Sequence, residues 1–374
     1  MISKTERFHG LDAVRGIAML LGIVIHASLP YIEGLPKGLW PSDKNTSNII
    51  AIIFEFIHIW RMPIFFIISG FFANLVITRK SLIIWWKNRF LRLVLPAMIF
   101  FPIMSLTIPW IFMYGYTGNI NFFFSNEGQP HHLWFLYHLF IFVLFSIFIR
   151  FFGLIIYKFF KQINLIVVVD IFNTVKSFLG RHIFDSRFPI LMIFVFFIFN
   201  LFTGADLIIN PLASGLYFLF GYRLYKNNLL FDFIKSNWKF YLIGGLTVTI
   251  IFFILNTQAS NFAKEDVRWI PWVILKISSA VLLSFSFIGL AEQKFSNLNP
   301  MVRFISDSSY WVYLIHLPLV AFITFFMFKI TIFAELKFLI AIILTSAICL
   351  VTYKYFVRST IIGILLNGKK LGSK

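Results

Sequence analysis

Long apolar stretches separated by short polar ones dominate this chain. Ten such stretches can be drawn: Leu11–Ile32, Ile49–Ile77, Leu93–Met113, Leu133–Phe152, Phe188–Phe202, Pro211–Tyr225, Trp238–Leu255, Trp269–Leu290, Tyr310–Phe328 and Leu336–Val357. A helix needs about 20 apolar residues to cross the hydrocarbon core of a bilayer, and most of these runs meet that length. The fifth and sixth are short. The pattern predicts an all-α, polytopic membrane protein of about ten transmembrane helices, read as a single membrane domain over 1–374 with a tail at about 358–374. Within the long connection Tyr157–Arg187, Leu165–Phe172 reads as a re-entrant or interfacial helix. No internal repeat is visible, which counts against a transporter built from inverted halves.

Charge orients the predicted bundle. Arg79, Lys80, Lys87, Arg89 and Arg92 follow the second stretch, and Arg150, Lys158, Lys161, Lys176, Arg181 and Arg187 follow the fourth. Lys226, Lys235 and Lys239 follow the sixth, and the tail ends in Lys369, Lys370 and Lys374. The segments Tyr114–Gln129 and Gly204–Asn210 contain no Lys or Arg. The positive-inside rule then places both termini in the cytoplasm, as expected for a multi-pass protein of the bacterial inner membrane.

Polar residues inside apolar stretches need a reason to be there. Arg15 and His26 lie in the first stretch, eleven residues apart, which on a helix brings them to within about 20° of one face and about 16 Å apart along the axis. Asp12 shares that side. In the second stretch Glu55, His58 and Arg61 follow at i, i+3 and i+6, so neighbours stay close, at a depth matching His26. Either function or a structural hydrogen-bond network accounts for each residue singly; the cluster favours function. Two His and a Glu fix no ligand geometry, so no metal is expected.

Composition agrees. Of 374 residues, 59% are hydrophobic and 13% charged, and the mean hydropathy is +0.86. The lone Cys349 excludes an intramolecular disulfide. The net charge of +18 is read as cytoplasmic loops beside anionic lipid, with no nucleic-acid partner. The first stretch is too long, and too polar within, for a cleavable signal peptide.

Three further motifs carry candidate chemistry. Arg89 and Arg92 lie three apart in Trp85-Trp86-Lys87-Asn88-Arg89-Phe90-Leu91-Arg92, and paired guanidinium forks suit phosphate, although plain interfacial anchoring gives the same pattern. Pro130-His131-His132-Leu133-Trp134 is either a membrane-belt element or a sugar platform. Ser306-Asp307-Ser308-Ser309-Tyr310 reads as a helix start with Ser306 or Asp307 as cap. It leads to His316, which sits two residues before Pro318 and either faces the cavity or accompanies a backbone adjustment.

Over nearly its full length the chain resembles the membrane acyltransferase 3 family. The resemblance rests on Arg15 with ten residues before His26, Phe65-Phe66-Ile67-Ile68-Ser69-Gly70-Phe71, Arg89-x-x-Arg92 before Pro96, and Ser309-Tyr310-x-x-Tyr313-Leu314-Ile315-His316. A narrower resemblance, to family members that succinylate osmoregulated periplasmic glucans, rests on four further runs. These are Leu20-Leu21-Gly22 with His26-x-Ser28-Leu29, Phe56-Ile57-His58-x-x-Arg61-Met62, Trp85-Trp86-Lys87, and His132-Leu133-Trp134-Phe135-Leu136.

The resemblance implies transfer of an acyl group, succinyl or acetyl, from cytoplasmic acyl-coenzyme A to a hydroxyl of a periplasmic glucan, with no tightly bound cofactor. His26 would be the base, with Asp12 and Arg15 holding the inner end of its cavity. Arg89 and Arg92 would bind donor phosphate, Glu55, His58 and Arg61 would line the acyl pocket, and His132, Trp134 and His316 would face the acceptor. An acyl-histidine intermediate is an open alternative to base catalysis. Other readings are an O-acetyltransferase of lipopolysaccharide or another surface polysaccharide, a transporter or flippase for an anionic solute, and a noncatalytic partner of a glycan machine. The oligomeric state is not read from the sequence.

Overall fold

The computed structural model describes residues 8–35, 38–79, 82–124, 128, 130–162, 166–179, 189–203, 206–208, 210–257, 266–297 and 299–368. Among these there is no β-strand. Fourteen α-helices follow in order: α1 His9–Ser28, α2 Asn48–Arg79, α3 Leu82–Arg89, α4 Leu95–Thr117, α5 Trp134–Gln162, α6 Ile166–Leu179, α7 Ile190–Thr203, α8 Pro211–Leu224, α9 Asn228–Ser236, α10 Trp238–Thr257, α11 Trp269–Lys294, α12 Pro300–Phe326, α13 Ala334–Thr352 and α14 Ile361–Asn367. Lys80, Arg181, Arg187, Lys369, Lys370 and Lys374, which contribute to the charge pattern, lie outside the described residues, as do the expected starts at Phe188 and Leu165.

Eight helical segments among the described residues are long and apolar enough to cross a membrane: His9–Tyr31, Asn48–Arg79, Ile84–Thr117, His131–Phe160, Trp238–Leu255, Trp269–Lys294, Pro300–Lys329 and Ala334–Val357. They correspond to eight of the ten expected stretches. The other two are α7 and α8, with 14 residues each. At 1.5 Å per residue such a helix reaches about 21 Å, short of a hydrocarbon core of about 30 Å. The third span is longer than expected because π-helical hydrogen bonding over Phe90–Val94 joins α3 to α4 without a break. The stretch expected to be re-entrant or interfacial is helical, as the start of α6.

Local sequence explains the helix ends. Asn210, Asn227 and Asn299 precede α8, α9 and α12, and each side chain accepts hydrogen bonds from first-turn amides. Asn299 is followed by Pro300, whose fixed φ suits the first helical position. This corrects the expected cap at Ser306 or Asp307: α12 begins six residues earlier, and both lie inside it. Asp307 pairs instead with Arg303 one turn back, at 3.6 Å.

The described chain forms two compact units. One comprises Met62–Arg89 and Tyr137–Gln293. Within it α2 and α8 meet through glycine: a Cβ on Gly70 would overlap the Phe218 carbonyl, and one on Gly221 the Ile67 carbonyl. Asn74 donates to the Tyr222 carbonyl at 2.6 Å. The other unit comprises 8–61, Phe90–Leu136 and 294–368. Here α1 packs on α12 and α13, and α12 on α4. Its core includes Ile23, Ala27, Tyr31, Val312, Val320, Phe338 and Ala341. Lipid is as apolar as leucine, so such helices associate through close packing of small residues. The buried side of α1 shows this, with Gly10, Ala13, Gly16, Ala18, Gly22, Ala27 and Ser28.

Candidate active site

All the histidines expected near His26 lie in the second unit. The His26 ring on α1 is 5.3 Å from that of His316 on α12, and His316 is 5.1 Å from His132, in the single turn before α5. Arg61 and His58, on the first half of α2, are near enough to both His26 and one another's surroundings for Arg61, His58, His132 and His316 all to act electrostatically on the His26 imidazole. His58 also stacks on Phe54, with ring centres 5.1 Å apart. Glu55 is partly buried one turn earlier on α2, and Trp134 is partly buried at the start of α5.

Hydrogen bonds fix two of the three rings. His316 Nδ1 donates to the carbonyls of Val312 and Tyr313, at 3.0 and 2.8 Å, which leaves Nε2 as its acceptor in the neutral ring. His132 Nε2 donates to the same Tyr313 carbonyl at 2.9 Å, and the Tyr313 hydroxyl donates back to the His132 carbonyl at 2.6 Å. Pro318 has no amide hydrogen, so it releases the Leu314 carbonyl four residues earlier, and His132 reaches that carbonyl as well. α12 runs on through Pro318 as continuous helix. His131, with φ 43°, is the one non-glycine described residue in left-handed conformation, and the following residue is His132. Such strain gathers at functional sites.

Gly22 makes room for the cluster. A Cβ there would stand 2.8 Å from Arg61 Nη1 and 3.4 Å from His316 Nε2. Trp40, in the connection before α2, stacks on His26 with ring centres 5.9 Å apart and planes at 15°. Three buried polar atoms here have no hydrogen-bond partner among the described residues: His26 Nδ1, His132 Nδ1 and Trp40 Nε1. Among the described residues no group of three or more His, Cys, Asp or Glu is arranged to hold a metal ion.

Three helical turns away along α1 is a second polar station. Arg15 pairs with Asp12 at 3.1 Å and donates to Ser306 Oγ of α12, also at 3.1 Å. Arg92 is close enough to Arg15 and Tyr310 to interact electrostatically, and the Tyr310 hydroxyl donates to the Arg92 carbonyl. A Cβ on Gly368, which ends α14, would collide with the Arg92 guanidinium. Arg89 ends α3 in the first unit, while Arg92 lies in the π-helical turn of the second.

Trp40, Tyr313 and Ser306 are the site residues the sequence reading missed. Tyr313 carried a usable signal, since it stands one turn before His316 within the quoted motif. Trp40 carried none, because nothing periodic fixes its segment.

Fold and site together define a helical multi-pass membrane protein with a His and Arg cluster held inside its helices. A family profile described as an acyltransferase domain matches residues 8–354, and the chain belongs to that acyltransferase 3 family. Glucans biosynthesis protein C of Escherichia coli O81 (strain ED1a) is 24% identical over 393 residues, covering 97% of this chain and 95% of that protein. The protein of the same name from Escherichia coli K12 (DH10B) is 37% identical over 112 residues, or 30% of this chain and 28% of that protein. The one from Shigella dysenteriae serotype 1 (strain Sd197) is 36% identical over 112 residues, with the same coverage. In these two stronger matches the chain spans less than a third of the relative's length. No solved structure matches the chain.

Proposed function

We propose that this protein moves a succinyl group from cytoplasmic acyl-coenzyme A to a hydroxyl of a glucan on the outer side of the bacterial inner membrane. The glucan comes from the relatives' name, and the sidedness from the basic connections, which put both termini in the cytoplasm. One observation carries the mechanism. A single helix, α1, bears Arg15 beside Asp12, Ser306 and Arg92, and eleven residues later bears His26 among Arg61, His132 and His316.

In this reading Arg92 and Arg15 attract the donor's phosphates, and Asp12 orients Arg15; Arg89 is a separate donor-binding candidate carried by the other unit. The thioester reaches past them toward His26. His26 takes the proton of the glucan hydroxyl as its oxygen attacks the thioester carbonyl. The new C–O bond forms, the C–S bond breaks, and the leaving thiolate takes the proton back from the imidazolium. Arg61 pairs with the far carboxylate of the succinyl group, and Glu55 and His58 line the same pocket. His132, Trp134 and His316 face the sugar.

The test uses membrane vesicles holding the full chain, a glucan oligosaccharide, and succinyl- and acetyl-coenzyme A in competition. Free coenzyme A and acylated sugar should rise together, with succinyl preferred. His26→Ala should lower both by at least about a hundredfold. Arg61→Met should shift the preference toward acetyl by roughly ten- to a hundredfold, the worth of a charge-assisted hydrogen bond. Undiminished transfer by a normally accumulating His26→Ala protein removes His26 as base. Equal loss of both activities in Arg61→Met removes Arg61 as the reader of the carboxylate. Solute movement without coenzyme A release would replace the enzyme with a transporter.

A further inference from the structure

Residues 38–47 have no regular structure, yet they are pinned at several points to the second unit. Asp43 N donates to the Pro30 carbonyl at 2.8 Å, and Ser47 N to the Tyr31 carbonyl at 2.9 Å. Asn45 Nδ2 reaches the Ile332 carbonyl at 3.1 Å, and Ser47 Oγ reaches Glu335 at 2.5 Å. The strongest tie is an ion pair between Lys337 of α13 and Asp43, at 2.6 Å, with side chains only 1% and 2% exposed. The second Asp43 oxygen accepts from Asn45 N at 3.0 Å. Breaking such a pair leaves a bare charge out of water, so the pair fixes this segment firmly.

What the segment carries is Trp40. Its indole is offset-stacked on His26 and meets Phe112 and Phe325 edge-on, at 4.7 and 6.1 Å. The aromatic contacts satisfy its faces and edge, but the indole N–H is buried with no acceptor among the described residues. Stacked beside it, His26 Nδ1 is also buried with no hydrogen-bond partner among the described residues. A donor and a titratable nitrogen left open side by side match two neighbouring oxygens of a sugar, one accepting a hydrogen bond and the other giving up its proton.

We propose that Trp40 selects and orients the acceptor. Its indole N–H donates to the sugar oxygen adjacent to the hydroxyl that His26 deprotonates, and Asp43 and Lys337 are the positioning residues that hold it there. The acceptor is thereby defined as a hydroxyl with a neighbouring oxygen, as in a vicinal diol or a hydroxymethyl group beside a ring oxygen. The inference rests on His26 acting as the base in the proposed transfer.

The experiment measures kcat/KM for transfer from succinyl-coenzyme A to a glucan oligosaccharide and to a set of its monodeoxy analogues, using full-length parent, Trp40→Phe and Lys337→Met in membranes. Trp40→Phe keeps the stacked ring and removes the donor. It should raise the KM for the parent sugar roughly tenfold, as for one lost hydrogen bond, and leave the KM for the donor unchanged. One deoxy position should cost the parent protein a similar factor and cost Trp40→Phe nothing, because the partner is already gone. Lys337→Met should reproduce the acceptor defect, and if it does not accumulate, the Trp40→Phe and deoxy arms decide alone. Equal losses for every analogue in parent and variant would overturn the proposal, as would donor and acceptor KM rising together. His26→Ala run alongside separates the two failures: activity retained there rejects the base, whereas a silent Trp40→Phe with an inactive His26→Ala rejects only the role of Trp40.

Discussion

Arg15 itself finds partners within the protein, whereas several polar atoms around His26 do not, and Arg92 Nε near Arg15 is likewise buried without a partner among the described residues. Arg15 Nη2 reaches both Asp12 and Ser306 at 3.1 Å, and the Arg15 and Asp12 side chains remain 37% and 14% exposed. Near His26, three polar atoms are buried without a partner among the described residues. Each such orphan costs about 1–3 kcal/mol, and the interior of a membrane protein offers little water to relieve it. Neighbouring rings at the same site are locked through both Tyr313 and the carbonyl freed by Pro318. Arg15 with Asp12 and Ser306 is thus a largely satisfied electrostatic feature, with Arg92 Nε as its open group; the His26 cluster is rigid and has more such groups, which is the form of a site that waits for substrate.

Two glycines of α1, Gly16 and Gly22, sharpen the contrast. At Gly16 a Cβ would stand 3.1 Å from the Ser306 backbone, which cannot easily move. At Gly22 it would meet the end of the Arg61 side chain, which can. Gly22→Val should therefore leave a folded, inserted protein with its guanidinium displaced by about 1 Å, and activity reduced by about a hundredfold. Gly16→Ala should instead destabilise, by about 1 kcal/mol or more of overpacking, with little change in turnover of the protein that remains. Thermal unfolding in detergent and turnover per inserted molecule separate the two. If Gly22→Val loses stability but keeps its turnover, the glycine serves packing and the comparison fails.

Lysine substitutions probe the donor end. Arg92→Lys retains charge but loses the planar fork, and should raise the KM for acyl-coenzyme A by roughly tenfold. Arg89→Lys should do less, because Arg89 closes α3 whereas Arg92 stands within electrostatic reach of Arg15. Equal donor KM values for both variants and the parent would reduce the pair to membrane anchors.

How far these features can be read from sequence follows from how local their causes are. Arg15 and His26 were legible because helical period alone sets them on one face, and His58 and Arg61 for the same reason. The helix boundary before His316 was misread although Asn299-Pro300 carried the signal. The serine-rich run is a weaker cap signal than Asn299, seven residues before Ser306. The π-helical turn at Phe90–Val94 has no sequence mark that distinguishes it from α-helix. Trp40 could not be found at all. Its position depends on Asp43 meeting Lys337, 294 residues away, and no local pattern encodes such a pair.

The smallest effect tests the largely satisfied character of the Arg15 station. Ser306→Ala removes one hydrogen-bond partner of Arg15, but Asp12 stays at 3.1 Å and the Arg15 side chain is 37% exposed. The net loss should be no more than about 1 kcal/mol, or a few-fold in donor KM. Asp12→Ala removes the carboxylate paired with Arg15 and should cost clearly more, since Arg15 also stands within electrostatic reach of the like-charged Arg92. The order of the two losses carries the argument. A Ser306→Ala defect as large as that of Asp12→Ala would mean that the hydroxyl handles substrate directly, and the Arg15 station would then belong with the incomplete site at His26.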